Sequence, residues 1–324
     1  MNRSLRRNGW VLGLAGLLAL LLLATKLIQP QFGASGLESL IRASLPFAFA
    51  TAALAVVVIA GGIDLSVASM MAVCSVTAAR LMEGVDGAVA VPVVVLVLLI
   101  GMTMGALNGA LIVWTRLPDI VVTLAMLFVW EGVALLILNA PGGSATPWLR
   151  QLIVGPVVIP GLPEAATALI PKSLVVLVVC LALIWLPLRR SKLGLSIYAI
   201  GSDATAAFRS GVPIGRTRIA AYAIAGLLSA LGGLSLTFST GIGEPIPGPY
   251  LLAAVAAVVL GGVALSGGRG GLLGPILAVL ILRVVRLDLT LLAVDPNVTT
   301  IIEGTIMAVV VMLGGLLAMR ERRS

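Results

Sequence analysis

Solidly apolar runs of about twenty residues recur along this chain, broken only by short clusters of glycine, proline and charge. A hydrocarbon layer about 30 Å thick takes roughly 20 helical residues to cross, since each residue advances a helix by about 1.5 Å. Inside lipid every backbone donor and acceptor must be satisfied by the chain itself, which confines such runs to helix or to a closed barrel. A barrel needs polar residues at alternate positions, and these runs lack that alternation. With 60% of its 324 residues hydrophobic and only 10% charged, the chain carries more apolar surface than one water-soluble core can hide. The expected fold is therefore all-α: a polytopic membrane protein of about ten transmembrane helices, forming a single domain over residues 1–324.

The charges set the orientation. Arg189, Arg190, Lys192, Arg209, Arg216 and Arg218 crowd into the one long basic and polar segment, residues 189–218, between two apolar runs without a single cation. Basic loops stay on the cytoplasmic side. An arrangement with both termini in the cytoplasm puts most of the 21 Lys and Arg residues on that side, among them Arg3, Arg6, Arg7, Arg320, Arg322 and Arg323. The formal charge of +8 reflects this topology and not a nucleic-acid surface, because the cations sit at the ends of apolar runs.

Taken in order, Met1–Ile28 reads as a retained first span, the apolar run being long for a signal sequence and lacking a small-x-small cleavage site. The second span runs from about Leu45 to Ala60 and ends at the GGIDLS stretch, and the third reaches about Met82. Gly101, Gly105 and Gly109 in the fourth span, at four-residue spacing, offer a stripe against which another helix can pack closely. Pro118 and Asp119 open the fifth span. Residues 140–171 read as an outer loop holding a short helix, and 241–250 as a second outer segment. The spans that follow the basic segment are expected at about 219–238, up to about 266, up to about 285, and 300–319. The stretches 55–66 and 256–266 share a valine-rich span end followed by Gly-Gly, which a duplicated half would produce.

Few residues in such a chain are free to do chemistry. There is no histidine, which removes the commonest metal ligand and general base, and no G-x-x-x-x-G-K-[ST] phosphate loop. No cofactor, metal or catalytic residue is expected, and Cys74 and Cys180 read as packing residues inside spans. An Asp at a helix centre in lipid costs about 2.5–3.5 kcal/mol, so buried polar groups need a reason. Glu131, near mid-depth in the fifth span, is either paired or protonated, or else it lines a solute pathway. Asp64, following Gly61 and Gly62, suits a cap on the third span, with Ser66 beside it. The double glycine equally permits the irregular backbone from which transport sites are built. Asn108 either bonds across helices or meets a hydroxylated solute, and Glu303 is placed to pair with Arg283 or Arg286. Gly61, Gly62, Asp64, Ser66, Asn108 and Glu131 are the pathway candidates. Aromatic side chains able to stack on a sugar ring are few, Trp130, Trp148 and Tyr250 among them.

Four blocks, GGIDLSVASMMAV (61–73), GALNGALIVWTRLPDIVVTLAM (105–126), YAIGSDATAAFRSGVPIGRTR (198–218) and LGGVALSGGRGG (260–271), resemble the ribose, arabinose and xylose permeases of bacterial ATP-binding-cassette importers in order and spacing. The resemblance implies an inner-membrane permease subunit that moves a monosaccharide or similar small polyhydroxylated solute and has no ATPase site of its own. It implies as partners a cytoplasmic ATP-binding subunit of two fused cassettes, a periplasmic sugar-binding protein, and a second permease copy or paralogue, with lipid around them. The segment from Gly201 to Pro213 then corresponds to the loop that docks into the ATPase. Ala204–Ala207 would form a short coupling helix between Asp203 and Arg209, with Gly201 before it and Gly211 after it. Glu131 and Glu303 depart from the basic residues that many relatives carry there. An ion-coupled secondary transporter using Glu131 is the alternative.

Overall fold

The structure is a computed structural model that describes residues 3–85, 87, 90–158, 167–246, 248 and 250–323; the side chains of 3–8, 311 and 313–323 are outside the description. Its helices are α1 (Arg3–Ile28), α2 (Ala34–Ile59), α3 (Val67–Met82), α4 (Ala90–Thr115), α5 (Asp119–Ile137), the single turn α6 (Pro147–Arg150), α7 (Lys172–Arg190), α8 (Lys192–Ser202), α9 (Ala204–Arg209), α10 (Ile214–Thr240), α11 (Tyr250–Leu260), α12 (Leu273–Leu291) and α13 (Pro296–Arg323). Among the described residues the only extended pairings are two isolated bridges, Gly142 with Gly243 and Pro156 with Pro171. Among the described residues six helices, α1, α2, α4, α5, α7 and α10, are long and apolar enough to cross a bilayer, and α3, α11 and residues 296–310 are shorter apolar helices.

The core is organised around α2. Every residue from Ser44 to Ile59 is buried, and α3, α7, α10, α11 and α12 surround the helix. A helix that is apolar on all sides gains most by sitting where no side meets a polar phase. Helices α4, α5 and α7 instead expose Val95, Leu99, Phe128, Leu136, Val178 and Leu183, a surface suited to lipid chains.

The glycine stripe of α4 packs as its spacing predicts. It lies on α10, the most extensive helix contact among the described residues. A Cβ on Gly101 would come within 2.6 Å of the Gly226 carbonyl oxygen, and one on Gly109 within 2.9 Å of Ile219 Cα. Without side chains on the stripe, the two backbones touch, and dispersion between them replaces a hydrophobic drive that lipid does not supply.

Elsewhere the observed elements depart from the expected bounds. Helix α2 begins at Ala34, well before Leu45, because Glu38 and Arg42 pair within its first turns (3.4 Å) and make a polar start tolerable. Helix α11 stops at Leu260, and α12 continues to Leu291, where Asp288 is buried and accepts a hydrogen bond from Thr25 Oγ1 of α1 at 2.7 Å. The basic segment is mostly helix instead of loop: α8 and α9 fill it, and α10 starts at Ile214. Ser191 caps α8 by accepting the Gly194 amide at 3.0 Å.

The two segments expected on the outer side, after α5 and after α10, are knit together. Gly142 and Gly243 exchange backbone hydrogen bonds at 3.1 and 2.8 Å, and Ala145 donates to the Gly241 carbonyl at 2.9 Å. Parts of both, residues 159–166, Pro247 and Pro249, lie outside the described residues, as does Asp86 of the turn after α3. The two Gly-Gly stretches share one hydrogen-bond pattern, Gly62 N–H to Val57 O (3.0 Å) matching Val263 N–H to Val258 O (3.1 Å).

Candidate functional site

The break between α2 and α3 brings the polar residues together. Asp64 and Ser66 are completely buried. Asp64 Oδ1 accepts from the Ser66 amide at 2.8 Å and from Ser66 Oγ at 2.6 Å, so the carboxylate closes the turn that leads into α3, whose first helical residue is Val67. Asn108 of α4 donates from Nδ2 to Ser66 Oγ at 2.7 Å and accepts from Trp130 Nε1 of α5 at 3.2 Å. Asn108 thus bonds across helices, the first of the two readings left open for it. Together Asp64, Ser66, Asn108 and Trp130 form a relay through three helix segments.

A second cluster adjoins it. Tyr222 of α10, fully buried, donates to Asp119 Oδ2 at 2.9 Å and lies 3.4 Å from the Ile63 carbonyl. Thr123 of α5 donates to the same carbonyl at 3.2 Å, and Arg218 Nη1 stands 3.6 Å from Asp119 Oδ1. The sequence marks Asp119 only as a residue suited to a helix start; its ties to Tyr222 and Arg218 join positions that only the fold makes neighbours.

The remaining candidates fall elsewhere. Gly61 and Gly62 face the end of α8 and the Asp119–Tyr222 pair, respectively. Glu131 follows Trp130 on α5, half-buried, and has no ion pair among the described residues. Glu303 Oε2 meets Arg286 Nη1 at 3.5 Å, the pairing open to it from the sequence. Arg283 instead donates to the Ala43 carbonyl at 2.9 Å and stands 5.6 Å above the Phe47 ring.

The coupling candidates make a small capped helix. Asp203 accepts the amides of Thr205 (2.8 Å) and Ala206 (2.9 Å) at the start of α9, satisfying donors that the helix itself leaves free. Arg209 lies in the last turn, where a cation meets the negative helix end. Gly211 follows with a φ of +82°, and the Val212 amide returns to the Ala207 carbonyl at 3.0 Å. Phe208 projects from this helix and is largely exposed.

Residues 36–311 match the family described as branched-chain amino acid transport system / permease component. The chain belongs to this permease family. It is also 30% identical, over 311 residues covering 94% of this chain and 92% of the relative, to the autoinducer 2 import system permease protein LsrD of Escherichia coli O9:H4 (strain HS) and of Shigella flexneri. No solved structure matches the chain. The protein is therefore the permease component of an ATP-binding-cassette importer and a multi-pass protein of the bacterial inner membrane. Nothing among the described residues of the permease favours an ion-coupled transporter built on Glu131.

The relay makes one test of its own. Replacing Asn108 with leucine leaves Trp130 Nε1 without its acceptor and removes a donor from Ser66 Oγ. The permease is expected to lose about 1–3 kcal/mol of stability, read as a lowered thermal midpoint of the detergent-solubilised protein. An unchanged midpoint would show that the relay holds nothing together.

Proposed function

We propose that this permease imports a monosaccharide or similar small polyhydroxylated solute, delivered by a periplasmic binding protein and driven by a cytoplasmic ATPase of two fused cassettes that docks on Gly201–Pro213. The observation that carries the docking assignment is the Asp203-capped helix α9, displayed on the one basic segment between the apolar helices α7 and α10. A capped helix keeps its shape under load, so a push at Phe208 or Arg209 moves the segment as one body. The relatives named for autoinducer 2 import make that solute the first to test beside simple sugars. Ten spans, with both termini cytoplasmic, put α9 on the side where the ATPase is, in keeping with the weight of positive charge there. A second permease, identical or paralogous, completes the pore.

Tagged permease purified from its host should bring down a protein with two nucleotide-binding cassettes, and deleting the permease gene should abolish uptake of one such solute. Substituting Asp203 with alanine removes both cap bonds, worth about 1 kcal/mol, or roughly a fivefold loss in the folded population of so short a helix. Transport should fall accordingly while the amount of permease in the membrane stays the same. Uptake at the normal rate with Ser202–Arg209 scrambled would defeat the docking assignment, and failure to recover any ATPase would defeat the whole reading.

A further inference from the structure

The link from Gly61 to Ser66 touches the coupling segment through bare backbone on one side and the buried relay through hydrogen bonds on the other. Gly61 has a φ of +82°, which a side chain rarely tolerates. A Cβ placed on it would lie 3.4 Å from Gly201 Cα. On Gly201, at the end of α8 and two residues before the Asp203 cap, a Cβ would collide with the Ile59 carbonyl oxygen and come within 2.6 Å of the Gly268 nitrogen. Gly268 in turn donates its N–H to that same Ile59 carbonyl at 2.9 Å, and a Cβ on Gly267 would sit 2.8 Å from Gly61 Cα. Three chain segments, the end of α2, the end of α8 and the turn before α12, therefore meet with no side chain between them.

Beyond Gly62 the link is held by different bonds. The Ile63 carbonyl takes the Thr123 hydroxyl of α5, with Tyr222 of α10 close by. Asp64 leads through Ser66 and Asn108 to Trp130, reaching α4 and α5. The second carboxylate oxygen, Asp64 Oδ2, is buried without a hydrogen-bond partner.

We propose that the Gly61–Ser66 link is the joint through which movement of α8 and α9 reaches α4 and α5, with Gly201 and Ser66 as positioning residues for transport. The proposal rests on the reading of Gly201–Pro213 as the ATPase-docking segment. Backbone in contact with backbone leaves no side-chain rotamer to absorb a displacement. A shift of Gly201 therefore moves Gly61 and Ile59 with it. The link lacks helical hydrogen bonds across Ile63–Leu65, so it reorients at the loss of few bonds, and Asp64 Oδ2 supplies a spare acceptor for a second arrangement of the relay. An element with two arrangements, touched at both ends, is what mechanical coupling between distant sites requires.

The test uses the assembled importer, permease with its co-purified ATPase and binding protein, in proteoliposomes. Gly201→Ala adds bulk at the joint, and Ser66→Ala removes the relay hydroxyl without adding any. With radiolabelled monosaccharides as probes, the one that the unmodified importer moves fastest serving as the solute throughout, the ATPase bound per permease, ATP hydrolysis, and solute moved per ATP hydrolysed are measured for each variant. The expected result is normal ATPase binding, with solute moved per ATP lowered by roughly threefold or more in both variants. A purely structural role would lower the amount of assembled importer and leave that ratio unchanged. If Gly201→Ala does not reach the membrane, Ser66→Ala decides alone, and a wild-type ratio in it overturns the proposal. Failure of the unmodified permease to bind an ATPase would instead overturn the docking assignment on which the proposal rests.

Discussion

Substituting Gly105 with leucine is expected to prevent the permease from forming its bundle, with little monodisperse protein recovered from membranes. The site leaves no room to yield. A Cβ there would run into the Tyr222 carbonyl oxygen and lie 2.9 Å from both Gly226 Cα and Gly226 N, and all of these are backbone atoms of α10. Gly226 is equally tight against the Gly101 carbonyl oxygen. Overpacking a core whose neighbours are side chains costs about 1–3 kcal/mol. Here two helices must part, so contacts along the largest helix pair of the fold are weakened together. The gain in helix propensity on losing a glycine, about 1 kcal/mol at most, works in the opposite direction and is smaller. Gly132 is the control, because a Cβ there meets nothing within 4 Å. Gly132→Ala should leave the thermal midpoint unchanged or raise it. Equal midpoints and yields for Gly105→Leu and Gly132→Ala would refute the close-packing account of the α4 stripe.

That stripe is legible in the amino-acid sequence because its signal is local: residues four apart on a helix share a face whatever surrounds them. The short helix after Asp203 comes from the family resemblance, and its local signs agree with it: an acceptor, five helix residues and a terminal arginine lie in one stretch. The charge at Glu303 is legible in kind, since two spans ending on one side bring a carboxylate near an arginine, but the choice between Arg283 and Arg286 is not. The segment 189–218 reads as loop because an amphipathic helix at a membrane edge has the composition of a loop. The Ser191 side chain, three residues before the amide it caps, is the available sign of α8. The meeting of distant segments is what stays hidden. Nothing in GGIDLS announces that Gly61 abuts Gly201, or that a stretch with the character of a solute pathway is also pressed against the segment proposed to dock the ATPase. Trp130 reads as one of a few candidate surfaces for a sugar ring, and the tie of its indole nitrogen to Asn108 is a second role that the sequence does not show. Such pairings depend on how helices are arranged, and low-complexity apolar sequence leaves that arrangement open.

The Asp119 cluster extends the same point into a measurable coupling. Asp119→Ala is expected to destabilise the permease by about 1–3 kcal/mol, since it strips a buried hydroxyl of its best acceptor. Tyr222 would keep only the 3.4 Å approach to the Ile63 carbonyl. Arg218, partly exposed, would lose its ion pair but remain within reach of water, which is why its share of the loss is the smaller one. The carboxylate also sits in the first turn of α5, where a negative charge is favoured by the helix end. Asp119→Asn keeps an acceptor for Tyr222 and should lose less than the alanine variant. Tyr222→Phe removes the donor from the same bond, so a double-mutant cycle with Asp119→Ala should show an interaction of about 0.5–3 kcal/mol. Strict additivity would mean that the 2.9 Å contact contributes nothing, and that α5 and α10 are held beside the Gly61–Ser66 link by apolar packing and by bonds such as that of Thr123 to the Ile63 carbonyl.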